Sequence, residues 1–305
     1  MTTHRRAPRE TTIDADVLRI PVGPGSLNVD RYGQGGEPVV LLHGFGTSSF
    51  LWRAVGPAIA EGGHTALAVD LLGYGASDRP PDADYSVAAQ AVYLENALAA
   101  MRIDRATVAA VDVGGGVAQR LAVTRPGLVS RLVLINSVGF DAWPGEDVKT
   151  VQRGTARFAL RIARGMLGAA PLLTELLEGS VADRAHMPPR LVARYLAPYV
   201  GTDGVIHLLA LARALRADDL AELDLGLVRV PTLIVRGTED RWLGEEVAER
   251  LHEAIAGSVL IRLPGVGRLV PEEDPETLAA LLLRFVQEGS RMAEGEEEQT
   301  PERAV

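Results

Sequence analysis

Four short segments of this chain carry side chains that can do chemistry, and each follows directly on an apolar run: His43-Gly44-Phe45-Gly46, Asp112, Asp240 and Arg268. Asp112 is the most telling. It stands in Ala110-Val111-Asp112-Val113-Gly114, with Gly115 and Gly116 next. A small residue two before a nucleophile and a glycine two after it is the spacing of a sharp strand-to-helix turn that presents the central side chain. Small neighbours are needed there because such a turn crowds backbone against backbone. A carboxylate held this way can displace a leaving group from saturated carbon and leave an ester on the protein. Water then attacks the ester carbonyl, and backbone N–H groups stabilise the oxyanion that forms. The plain alternative is that Asp112 caps the following helix, but a cap alone does not require the glycine run. That run does not read Gly-x-Gly-x-x-Gly, and no Walker phosphate loop occurs, so the sequence does not indicate a nucleotide site.

Those side chains need a frame to bring them together. Apolar runs predict strands at Val17–Val22, Leu27–Tyr32, Pro38–Leu42, Thr65–Asp70, Thr107–Val111, Arg131–Asn136, Pro231–Gly237 and Ser258–Leu263. Helical stretches alternate with them at Phe50–Ala60, Val87–Met101, Gly115–Thr124, Glu245–Ala256 and Pro275–Gln287. This alternation predicts an α/β fold with a mostly parallel sheet covered on both faces. Ligands of such sheets bind beyond the carboxyl ends of the strands, where all four segments fall. From Asp141 to Leu225 the pattern is helical only, broken by Pro188-Pro189 and Gly201. The expected organisation is a flexible start at 1–12, a core of 13–140 and 226–288, a helical cap at 141–225 and a disordered acidic tail at 289–305.

The elbow, the His43-Gly44-Phe45-Gly46 loop and the segment Asp70, Gly73, Tyr74, Gly75, Ser77 together resemble the α/β-hydrolase fold superfamily, from roughly Val17 to Gln287. The chain looks most like its epoxide-hydrolase and haloalkane-dehalogenase branch, whose nucleophile is aspartate. It departs at Ala110, where glycine is usual, and at Val111, where histidine often stands. The resemblance implies an eight-stranded sheet with an inserted cap. It also implies an oxyanion hole from the N–H groups of Phe45 and Val113, a structural His43, and Asp240 as the acid that orients a catalytic histidine. Asp141 is a weaker alternative acid.

At the histidine position, within Leu263-Pro264-Gly265-Val266-Gly267-Arg268-Leu269, the chain carries Arg268. A guanidinium stays protonated and cannot take a proton from water. Hydrolysis of an Asp112 ester therefore lacks its base. Arg268 is expected to bridge Asp112 and Asp240; the alternatives are an anionic ligand group or solvent. Of the histidines, His186 and His207 lie in the cap and are the ones able to approach. Phe45 and Val113 occupy the positions where haloalkane dehalogenases hold halide with asparagine and tryptophan, which disfavours halide chemistry. Epoxide opening needs cap tyrosines, and Tyr195 and Tyr199, four residues apart, are the candidates. Trp143 and Trp242 follow strand ends and are expected to line the cleft, while Trp52 is expected in the core. The resulting expectation is a small apolar organic substrate, with a lyase, an isomerase or a silent binding protein as alternatives on the same scaffold.

Composition narrows the field further. The chain has 305 residues, 47% hydrophobic, enough for a sizeable core. Its net charge of -9, from 31 basic and 40 acidic residues, gives no general attraction to nucleic acid or anionic membrane. With no cysteine, disulfides, a thiol nucleophile and zinc–thiolate sites are excluded. No apolar run approaches the ~18 residues of a membrane span. The expectation is a cytoplasmic monomer or homodimer, with no metal or organic cofactor indicated.

Overall fold

The computed structural model describes residues 14–142, 144, 146–153, 170–216 and 218–288. The expected flexible start, the acidic tail and Trp143 lie outside the described residues.

Eight strands form one sheet: β1 Asp16–Pro21, β2 Ser26–Tyr32, β3 Pro38–Leu42, β4 Thr65–Val69, β5 Ala106–Asp112, β6 Val129–Ser137, β7 Thr232–Gly237 and β8 Val259–Leu263. Their order is β1-β2-β4-β3-β5-β6-β7-β8. β1 with β2 and β2 with β4 run antiparallel, and the other neighbours are parallel. This is the expected eight-stranded, mostly parallel sheet. The reason lies in the residues: β5 is buried along its whole length, as a central strand covered on both faces must be. β1, by contrast, alternates between exposed and half-buried positions at the sheet edge.

The chain runs outward from β3 to β4, then crosses β3 to reach β5 on the other side. Strand order therefore reverses between β3 and β5, and a crevice opens at their carboxyl ends. The loop after β3 begins with His43, and β5 ends at Asp112. Helices α1 Val55–Glu61, α2 Val87–Ala100 and α3 Val113–Thr124 cover the sheet in this half. The continuous helix expected at 50–60 is instead a single 3-10 turn at Ser49–Trp52 followed by α1. Pro57 is the cause: it has no N–H for the Arg53 carbonyl and its ring crowds that carbonyl, so α-helical pairing starts late. Trp52 is fully buried in the core, as expected.

Between β6 and β7 the described residues form helices and no strand, among them Ala170–Gly179, Pro189–Leu196 and Gly201–Ala214. These inserted helices are tied to the core by backbone. Leu269 N–H donates to the Ser180 carbonyl (3.1 Å). The carboxylate of Glu273 accepts from Ala182 N–H at 2.7 Å and from Gly267 N–H at 2.6 Å.

Candidate active site

At the β5–α3 corner Asp112 has φ +54° and ψ −118°, a conformation that costs a non-glycine residue about 1–3 kcal/mol. The kink lets α3 begin at Val113, two residues before the sequence suggests. Its surroundings admit only small residues. A Cβ at Gly115 would lie 2.0 Å from Ser137 Oγ, and one at Gly44 would lie 2.5 Å from Asp112 Oδ2. The carboxylate makes no capping bond to α3, so the helix-cap alternative does not hold. Oδ2 instead accepts the Phe45 N–H at 2.8 Å. His43 holds that loop: its Nε2 accepts the Leu71 N–H (3.1 Å), leaving Nδ1 to donate to the Gly44 carbonyl (2.8 Å). Burial lowers its pKa and keeps it neutral.

Asp112 Oδ1 accepts a hydrogen bond from Arg268 Nη2, and the two side chains form an ion pair, each 3% exposed. Of the expected bridge, the Asp112 arm is thus direct. Toward Asp240 the Arg268 charge acts alongside that of Arg236, whose Nη1 stands 3.1 Å from Asp240 Oδ2. Burial nevertheless pushes the Asp240 carboxyl above the ordinary carboxylate range, against the pull of both arginines. Asp240 Oδ1 accepts the N–H groups of Trp242 (2.8 Å) and Leu243 (3.2 Å). No hydrogen bond reaches Oδ2. Asp240 does not cap the following helix, whose N-cap is Gly244.

Two residues that sequence reasoning passed over hold this arrangement. Asn136, at the end of β6 with φ +39°, donates from Nδ2 to the carbonyls of Gly267 (2.9 Å) and Arg268 (3.1 Å). Its Oδ1 accepts the Gly237 N–H at 3.0 Å. Arg236 donates to Asn136 Oδ1 (3.3 Å) and to the Leu243 carbonyl (2.7 Å). Together they lock the ends of β6 and β7 to the loop that carries Arg268. The available signal was weak: a polar residue ending an apolar strand, and an arginine inside one. Asp141, the alternative acid, is exposed and pairs with Arg250, outside this cluster.

The sequence model described as the alpha/beta hydrolase fold matches residues 37–275. The chain belongs to the α/β hydrolase fold family. A solved α/β hydrolase fold protein from Burkholderia ambifaria superposes with a TM-score of 0.77 at 30% identity, covering 88% of this chain and 99% of that one. A haloalkane dehalogenase of Mycobacterium marinum is 31% identical over 172 residues, which is 56% of this chain and 54% of that protein. The structure of epoxide hydrolase CorEH, at 21% identity and a TM-score of 0.77, covers 90% of this chain and 99% of its own, and shares the fold.

In this α/β hydrolase fold chain the space beside Asp112 is a cavity of about 20 Å³, closed over by Leu173, Leu176 and Leu177 of the inserted helix. Phe45, Arg268 and Leu269 also line it, together with the polar Thr47 and Ser180 and with Gly44 and Gly46. Room of that size admits about one water. Tyr195, Tyr199 and Trp242 do not line it. Tyr195 is buried and donates its hydroxyl to Glu272. Tyr199 is buried with its hydroxyl unbonded and its ring under Arg79, at 5.9 Å. Trp242 packs near Gly179. His207 hydrogen-bonds the Gly73 carbonyl, His186 lies 3.9 Å from Glu273, and neither lines the Asp112 cavity. Among the described residues no group of three or more His, Asp or Glu is placed to hold a metal, and no helix is long and apolar enough to cross a membrane.

Burial raises the phenol pKa of Tyr195 and Tyr199, and pushes Tyr32 up to about 12 from 10.0. An unfolded tyrosine loses its proton near 10, so the folded state holds more protons between 10 and 12. Stability must then fall as pH rises through that window. In an alkaline titration, tyrosinate absorbance of the native chain is expected to lag that of the urea-unfolded chain. Coincident curves would mean these hydroxyls are solvated.

Proposed function

We propose that this chain keeps the small-molecule site of an Asp-nucleophile hydrolase, of the epoxide hydrolase and haloalkane dehalogenase type, but is arrested in hydrolysis. The reading rests on one observation: the buried ion pair between Asp112 and Arg268. Oδ2 of Asp112 lies on the Phe45 N–H, where the oxyanion of an ester would be stabilised, with the Val113 N–H as the proposed second donor. Oδ1, the oxygen left to attack, is neutralised by the guanidinium. Were an ester to form, nothing in the cavity could deprotonate water, and a general base contributes about 10²–10⁴-fold. The leucine wall and Phe45 favour small apolar organic ligands, which enter when the inserted helix moves. On this reading the protein works as a cytoplasmic binding protein for such molecules. Neither Tyr195 nor Tyr199 takes part, since neither lines the Asp112 cavity.

The test uses the wild-type chain, styrene oxide and 1-bromobutane. The expected result is no sustained product release and no covalent mass gain on the Asp112 peptide. Multiple turnover that disappears in Asp112→Asn would overturn the proposal.

A further inference from the structure

A second cavity stands apart from the elbow. It is a groove of about 930 Å³ between the inserted helix Pro189–Leu196 and the core segment 272–277, and it shares no lining residue with the Asp112 cavity. Its size falls within the ~300–1,000 Å³ range of small-molecule sites.

The charges around it are unevenly matched. On the floor, Glu272 is held by Arg53 through two bonds of 2.6 and 2.7 Å, and by the Tyr195 hydroxyl. Glu273 is occupied by the N–H groups of Ala182, Asp183 and Gly267, with His186 3.9 Å away. Asp274 accepts the Thr277 N–H at 3.4 Å, and Glu276 is exposed at the rim. The opposite wall carries Arg190 and Arg194, both exposed, and neither makes an ion pair among the described residues. They stand four residues apart on one helix face, where like charges repel. Arg194 also lies over the Phe50 ring, 5.2 Å from its centroid, so an aromatic surface adjoins the cationic one. Leu191 and Pro188 extend the apolar patch. In a chain of net charge -9 this wall is a local exception.

We propose that the groove binds small organic anions, carboxylates with an apolar body. The carboxylate seats on the guanidinium forks of Arg190 and Arg194, which match its geometry and relieve their mutual repulsion. The apolar body lies across Pro188 and Leu191. The site is independent of the chemistry proposed at Asp112.

Calorimetric titration of the full chain with octanoate, and with octanamide as the neutral counterpart, tests this. Octanoate is expected to bind more tightly than octanamide, and to weaken as salt is raised. The double variant Arg190→Ala/Arg194→Ala, altered at exposed positions, should keep its melting temperature and lose roughly tenfold in octanoate affinity. Asp112→Asn should leave octanoate binding unchanged. Absence of octanoate binding, equal affinity for the amide, or full affinity in the double variant would each overturn the proposal. So would loss of binding in Asp112→Asn, which would move the ligand to the elbow.

Discussion

Arg268→His is expected to switch on hydrolysis at Asp112, with product release from 1-bromobutane, whose displacement needs no proton donor, rising by about 10²–10⁴-fold over the wild-type chain. Four features of the structure favour the gain. The Asp112 oxygen at the Phe45 N–H is already where an oxyanion is stabilised, and the other loses the guanidinium that neutralises it. Asp240 Oδ2 accepts no hydrogen bond, so it can take the Nδ1–H of an imidazole and fix its tautomer. Asn136 grips the main chain at Gly267 and Arg268 rather than any side chain, so the loop keeps its place in the variant. Histidine is also smaller than arginine, and the cavity of about 20 Å³ gains room for the attacking water. The control is Arg268→His/Asp112→Asn, which should be inert. Should Arg268→His remain silent, and remain so with Leu176→Ala added to widen the site, Arg268 is not what arrests the chemistry.

The second large effect concerns stability. Asp112→Ala is expected to cost about 3 kcal/mol, the lower end for removing one partner of a buried ion pair. The guanidinium of Arg268 would then sit buried at 3% exposure without its carboxylate. The Asp240 carboxylate still acts on that charge and limits the loss. Asp112→Ala/Arg268→Met should recover most of the loss, since an apolar pair of similar volume leaves no unpaired guanidinium at position 268. Urea unfolding of the three chains measures both terms, and the non-additivity reports the coupling. A single-variant loss below about 1 kcal/mol would mean that the pair behaves like an exposed one.

The sheet was readable because its signals are local. Uninterrupted apolar runs such as Val39–Leu42 and Val108–Val111 announce buried parallel strands, and their alternation with helical stretches fixes the fold class. The elbow was readable for the same reason: crowding at one sharp corner is written into five consecutive residues. Most boundaries shifted by a residue or two, as at the start of β6, Val129 rather than Arg131; at α1 and α3 the cause is a single residue, Pro57 and the positive φ of Asp112. Tyr195 could not be assigned from spacing, because its partner is the carboxylate of Glu272, 77 positions away, and Glu272 is itself clamped by Arg53 across 219. The role of Asn136, which joins segments 131 and 132 positions apart, was equally invisible.

By itself, then, the sequence determined the order of strands and helices, the strained corner at Asp112 and the presence of a permanent cation where a proton acceptor belongs. Tertiary structure alone decided that this cation lies against the Asp112 carboxylate, that the tyrosines stand outside its cavity and that the cavity is nearly closed. The division is physical. Backbone preference and hydrophobic period act between neighbours along the chain, whereas pairing of buried polar groups is settled only when distant segments exclude water together.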